Sequence, residues 1–228
     1  MLLYSLSYFQ RTAVPGTIFG QLSLEGFSAE AITSIGSSFL LVYSLSQLLI
    51  GLLTDRYGGA RVVAVGGFIF VAGSFAMPFC HSLYLINLCR VMTGLGAGTM
   101  FLSLVKETDR IFGRKNYSVL LGMVYVVGYS GGIFGSLPFA WLCSAFPWRH
   151  VLIVIGAISI VCYLCFLLAR GKEPLPAINQ VPFAPETLFY VIRNPYTWML
   201  IFCASVNFGA YYIILSIFGK KFLEDCGN

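Results

Sequence analysis

The stretch GLLTDRYGGARVV, residues 51–63, decides how this chain is read. An apolar run ends in it, and an acid and a base follow at once, Asp55 and Arg56. Gly58 comes three residues after Asp55, and a second apolar run then begins near Val62. The stretch is a short charged turn between two long apolar segments, and the pattern recurs along the chain.

The chain has 228 residues, 58% hydrophobic and 10% charged, and a mean hydropathy of +0.83. A soluble domain carries roughly a quarter charged residues, and a bilayer span needs about 20 consecutive apolar ones. Backbone polar groups in lipid must be satisfied internally, so spans are helices or a closed barrel. No sustained period-two alternation appears, which selects helices: an all-α membrane protein. The net charge of +5 is dispersed over the loops, which argues for a lipid bilayer and against nucleic acid as a partner.

Seven spans are expected: 2–22, 31–53, 62–79, 83–105, 118–142, 151–169 and 196–218. They fall into a six-helix transmembrane bundle (1–169), a central linker (170–195) and a seventh helix with the start of a second bundle (196–228). Pro174, Pro176, Pro182 and Pro185 argue against one continuous helix in the linker. With the N-terminus on the inner side, Arg56, Arg61, Lys106, Arg110, Arg114, Lys115, Arg170, Lys172 and Arg193 lie inside. Arg149, Lys220 and Lys221 lie outside, a bias of nine to three. The positive-inside rule therefore predicts a cytoplasmic N-terminus in a cell (plasma or inner) membrane and an outward C-terminus. That orientation disfavours a seven-helix receptor, whose DRY sequence closes its third helix rather than its second.

The pattern Gly51-x-x-x-Asp55-Arg56-x-Gly58 resembles the loop between helices two and three of the major facilitator superfamily. RVMTGLGAG, residues 90–98, is similar to that superfamily's fourth-helix motif, with Gly94 and Gly96 at +4 and +6 from Arg90. PWRHVLIVIGA (147–157) and RNPYTW (193–198) resemble its lead-ins to helices six and seven. The resemblance implies a twelve-helix fold of two six-helix halves, of which this chain carries the first half, the linker and helix seven, apparently truncated. It implies secondary transport of a small solute by alternating access, with no enzyme activity. No cofactor or metal is expected; Cys162 and Cys165 form a C-x-x-C without the further ligands that zinc needs.

The resemblance also assigns roles. Asp55 and the bases near it, Arg56 and Arg61, form a latch between the halves. Gly51 permits close helix approach, and Gly58 permits the tight turn. Gly59 and Ala60 stand where a further base is usual. A plainer reading makes Asp55 a turn residue and the bases obedient to the charge bias. Arg90 is expected either to pack helices or handle protons, or to snorkel outward.

Arg11 is the sharpest residue. It sits about ten residues into the first span, near mid-membrane at 1.5 Å rise per residue, where an Arg costs about 2.5–3.5 kcal/mol. No Asp or Glu lies within any span core. A guanidinium facing a cavity suits an anionic ligand, which its fork grips with two bonds. Tyr8–Arg11 loosely resembles the first helix of the superfamily's organic-anion and organophosphate branches, which implies a carboxylate or phosphorylated substrate. Carboxylate symporters often carry an acid where Gln10 stands and another near Ala97, so proton-coupled symport is not supported by these positions. The competing reading has Arg11 snorkelling to the inner surface. Further candidate substrate contacts are Tyr125 and Tyr129 in span five, and Asn207 and Tyr211 in span seven. Glycines of span five fit either packing or an antiporter motif (Gly122, Gly131, Gly135), with Ser136, Phe139 and Ala140 departing from the latter. Other readings are a proton-coupled sugar or drug carrier, or a non-transporting product needing a separate C-terminal half.

Overall fold

A computed structural model describes residues 1–171 and 192–213. The chain divides into two units, Met1–Asn179 and Gln180–Asn228, and among the described residues every regular element is helical.

The first unit begins with α1 (Leu2–Thr12), a π-helical turn (Ala13–Thr17) and α2 (Phe19–Leu24). The sequence predicts one continuous span here; the structure breaks it. Pro15 has no N–H for the helical ladder, and Gly16 follows it, so the helix widens into a π turn instead of continuing. α3 (Ala29–Tyr57) starts at Ser28, whose hydroxyl accepts from the Ala31 N–H at 3.2 Å. Glu30 in its first turn favours the positive end of the helix dipole. α3 stops at Gly58, which adopts φ 82°. That backbone conformation is open to glycine and strained for other residues, so the expected turn glycine is observed.

α4 (Gly59–Ala76) ends in a 3₁₀ turn, Met77–Phe79, at Pro78. α5 runs Leu83–Phe134, but Gly113 at φ 64° divides it into two helices. α6 (Leu137–Ala145) continues the second of these after a break at Gly135–Ser136, and α7 spans Trp148–Arg170. Five segments are long and apolar enough to cross a membrane: Ala29–Tyr57, Gly59–Phe79, Leu83–Gly113, Asn116–Ala145 and Trp148–Arg170. They match the second to sixth expected spans. In the second unit, α8 (Pro195–Ile213) is a single apolar helix matching most of the seventh. The rest of that span and most of the linker, with its four prolines, lie outside the described residues.

Glycine decides how the first unit packs. A Cβ on Gly94 would lie 2.6 Å from the Phe39 carbonyl of α3, and one on Gly96 would strike the Gly66 carbonyl of α4. The first half of α5 is thus held backbone-close to both neighbours, as small residues allow in membranes. Its second half meets α1 in the same way: a Cβ on Gly131 would strike the Ser5 carbonyl, and one on Gly135 would lie 2.9 Å from the Phe9 carbonyl. Gly122, the first member of the antiporter-like triplet, faces open space instead. Gly131 and Gly135 therefore act in helix packing.

Two apolar clusters fill the unit. One, around Phe9, Ile18, Ile35, Met77 and Trp148, lies toward the Glu25 end; the other, around Tyr4, Phe39, Phe70 and Met100, lies toward the Asp55 end. Polar groups separate them. Gln10, 1% exposed, donates from Nε2 to Ser74 Oγ at 2.6 Å, and Arg90 is fully buried beside it.

Candidate functional site

α1 presents two opposed surfaces. Gln10 points into the bundle, while Tyr4, Tyr8 and Arg11 share the other surface, at i, i+4 and i+7. Arg11 is half-buried there. Its guanidinium carbon lies 5.7 Å from the Tyr8 ring centre and 5.5 Å from that of Tyr43, which α3 supplies. Both distances are within cation–π reach.

The second half of α5 closes the group. Tyr129 meets Tyr8 edge-on at 5.3 Å and stacks on Tyr125 at 6.0 Å. Tyr125 meets Phe101 at 5.5 Å, and Phe101 stacks on Tyr4 at 5.6 Å. Tyr4 completes the ring by an edge contact to Tyr8 at 5.2 Å. A continuous aromatic wall thus runs over α1, α3 and α5 with one cation set in it. Tyr125 and Tyr129 remain 38% and 41% exposed. Three of the four tyrosines expected from sequence are described, and Arg11, Tyr8, Tyr125 and Tyr129 do come together. Tyr4 and Phe101 were missed, although the four-residue step from Tyr4 to Tyr8 placed Tyr4 on the Arg11 face. Asn207 lies on α8 and is exposed. The side chain of Tyr211 lies outside the described residues. Tyr4 also lines a cavity of about 540 Å³ in the first unit, with Gly59, Glu107 and Arg170; Arg11 does not line it.

Arg90 does not snorkel. It is 0% exposed: Nε donates to the Ile35 carbonyl and Nη1 to the Gln10 carbonyl, both at 3.1 Å, and the guanidinium lies 4.5 Å from the Phe39 ring centre. The outward reading fails because backbone carbonyls of α1 and α3 and an aromatic face hold Nε and Nη1 inside the bundle, where Nη2 is buried without a hydrogen-bond partner.

Asp55 pairs with Lys106 of α5 at 2.5 Å and stays 75% exposed. Arg61 donates to the Tyr57 carbonyl at 3.4 Å, and Arg56 lies 5.4 Å from the Tyr57 ring centre. A Cβ on Gly51 would meet nothing within 4 Å, so Gly51 makes no close approach within this unit. Sequence reasoning missed Glu107, which accepts from the Ala60 N–H at 3.1 Å and from Arg110 at 2.6 Å, anchoring the start of α4 to α5. It also missed a clasp at the other end. Glu25 accepts from Arg149 at 2.8 Å and from the Trp148 indole at 2.9 Å, while Arg149 also reaches the Pro78 and Cys80 carbonyls at 2.7 and 2.8 Å. The Arg149 hydrogen bond, followed by that of Trp148, holds the Glu25 carboxyl below its ordinary range against the opposing effect of burial.

A family model described as Major Facilitator Superfamily matches residues 1–226. A probable chloroplastic anion transporter 3 of Arabidopsis thaliana is 23% identical over 213 residues, which cover 84% of this chain and 41% of that protein. A chloramphenicol resistance protein of Pseudomonas aeruginosa is 24% identical over 198 residues, covering 84% of this chain and 46% of that protein. Among solved structures, the POT family transporter PepTSo superposes with a TM-score of 0.65 at 22% identity, covering 84% of this chain and 39% of that one. The chain spans less than half the length of these relatives.

Proposed function

The chain belongs to the Major Facilitator Superfamily, and from that premise we propose that it forms part of a secondary transporter of a small organic anion, a carboxylate or a phosphorylated compound. One observation carries the reading: the half-buried Arg11 guanidinium, set about ten residues into the first membrane segment and flanked by Tyr8, Tyr43 and, through Tyr8, Tyr129. A planar guanidinium binds carboxylate or phosphate oxygens with two parallel bonds, and the tyrosine hydroxyls add donors around it. The probable anion transporter among its relatives supports this choice. Asp55 serves as the near side of a latch with a second half, and the N-terminus lies in the cytoplasm of a cell whose surface membrane holds the protein.

The test uses the full-length protein in liposomes, with a panel of radiolabelled carboxylates and sugar phosphates. Arg11→Ala abolishes uptake of the recognised anion. Arg11→Lys keeps the charge, loses the fork, and weakens binding on the order of tenfold. Unchanged affinity in both variants sinks the reading and returns Arg11 to an interfacial role. Labelling from outside intact cells should miss Lys115 and reach Lys220; the reverse overturns the orientation.

A second reading is a proton-coupled drug or sugar carrier. The aromatic wall of Tyr4, Phe101 and Tyr125 favours it, because ring faces accept apolar and cationic solutes, and so does the chloramphenicol resistance relative. Uptake of such solutes that survives Arg11→Ala would select it.

A further inference from the structure

At the Glu25 end, two cysteines from neighbouring elements face each other. Cys80 follows the 3₁₀ turn at the end of α4, and Cys89 lies in the second turn of α5. Their sulfurs are 3.8 Å apart, and both residues are free thiols. Cys89 is buried and held in a helix, whereas Cys80 is half-buried with extended backbone, φ −84° and ψ 136°. A disulfide needs the sulfurs at about 2.0 Å. The remaining distance falls to the Cys80 side, where residues 80–82 belong to no helix. The carbonyl of Cys80 is meanwhile held by Arg149, so the residue stays beside its partner.

We propose that Cys80 and Cys89 are a redox-modifiable thiol pair, closed to an intramolecular disulfide by exchange with a small organic disulfide. Cys80 is the reachable sulfur and attacks first. Its thiolate bonds to one sulfur of the reagent and expels the other as a thiolate. That thiolate takes the proton of Cys89, whose sulfur then attacks Cys80 and expels the second half of the reagent as a thiolate, which takes up the proton that Cys80 lost on ionising. Two S–H bonds are lost, one S–S bond forms in the protein, and one reagent disulfide is reduced to two thiols. The product ties the end of α4 to the start of α5, one residue from Arg90.

The experiment treats the full-length protein in its native membrane with hydroxyethyl disulfide, blocks remaining thiols with N-ethylmaleimide, and maps the peptide spanning residues 80–89 by mass. The expected result is loss of two hydrogens, no alkylation at either cysteine, and reversal by dithiothreitol. Cys89→Ser should instead leave a stable mixed disulfide between Cys80 and the mercaptoethanol half of the reagent. Alkylation of both thiols after treatment overturns the proposal, as does a persistent adduct on Cys80 in the unsubstituted chain or a cross-link from Cys80 to any other cysteine. Because the map reads chemistry rather than transport, its failure leaves the anion-carrier reading standing, and the converse also holds.

Discussion

Arg90 Nη1 donates to the carbonyl oxygen of Gln10, one residue before Arg11, at 3.1 Å. The fourth-helix Arg therefore fixes the stretch of α1 that carries the candidate substrate Arg. Its Nε reaches Ile35 of α3 in the same way, so one guanidinium cross-links three helices through two backbone carbonyls. A helical carbonyl already serves its own ladder, but its second lone pair can accept this additional bond.

Removing that cross-link strips an additional buried hydrogen bond from each of two backbone carbonyls. Arg90→Leu fills much of the space and forms no bond, and should destabilise the protein by about 2–4 kcal/mol. Arg90→Lys keeps a charge but loses the fork, and should recover only part of that. Thermal unfolding in detergent measures both. Full stability in Arg90→Leu would mean that packing against Phe39 alone holds the site. Anion affinity should fall in step, because Arg11 loses its fixed backbone.

Gly131 and Gly122 sit on one helix and make opposite predictions. A Cβ at Gly131 would collide with the Ser5 backbone, which cannot swing aside as a flexible side chain would. Gly131→Ala should therefore separate α1 from α5 and cost about 1–3 kcal/mol. Gly122 has open space around it, so Gly122→Ala should be neutral or stabilise by up to about 1 kcal/mol through helix propensity. Equal effects at the two positions would remove the packing role assigned to Gly131 and Gly135.

The spans and the turn at Gly58 were legible in the sequence because hydropathy and glycine chemistry act locally. The break in the first span was signalled by Pro15 and Gly16, but apolar character outweighed it in a reading by hydropathy. Arg11, Tyr8, Tyr125 and Tyr129 could be assembled from the depth and face of each residue. What stayed hidden was pairing between helices. Whether Arg90 turns outward or inward depends on carbonyls that every helix possesses, so no side-chain pattern announces it. Glu25 and Arg149 lie 124 positions apart, and only the placing of the start of α7 beside the end of α2 brings them together.

That clasp predicts a pH dependence. The folded protein lowers the pKa of Glu25 below its ordinary value, first through the Arg149 hydrogen bond and then through that of Trp148. A carboxyl lowered on folding contributes stability above its unfolded value, and that contribution is lost as pH falls through the folded value. The clasp should therefore stand intact at neutral pH and weaken only below about pH 4.5. Glu25→Gln removes the charge at every pH. Its unfolding temperature should lie below that of the unsubstituted protein at pH 7, and the gap should close on acidification below pH 4. A gap that is constant with pH would assign the effect to the Trp148 hydrogen bond rather than to the charge.

Asp55 and Lys106 separate local stability from function. The pair is short but exposed, 75% at the acid and 38% at the base, and such pairs are worth only about 0–1 kcal/mol. Lys106→Met should therefore hardly move the unfolding temperature. The same exposure leaves Asp55 open to a second partner, and a latch with another half requires one. Asp55→Asn removes the latch together with the local pair, whereas Lys106→Met removes the local pair alone. In the full-length protein, Asp55→Asn should slow uptake several-fold more than Lys106→Met does. Equal losses would mean that the pair within this unit carries the whole effect, and Asp55 would then be an anchor between α3 and α5 rather than a gate.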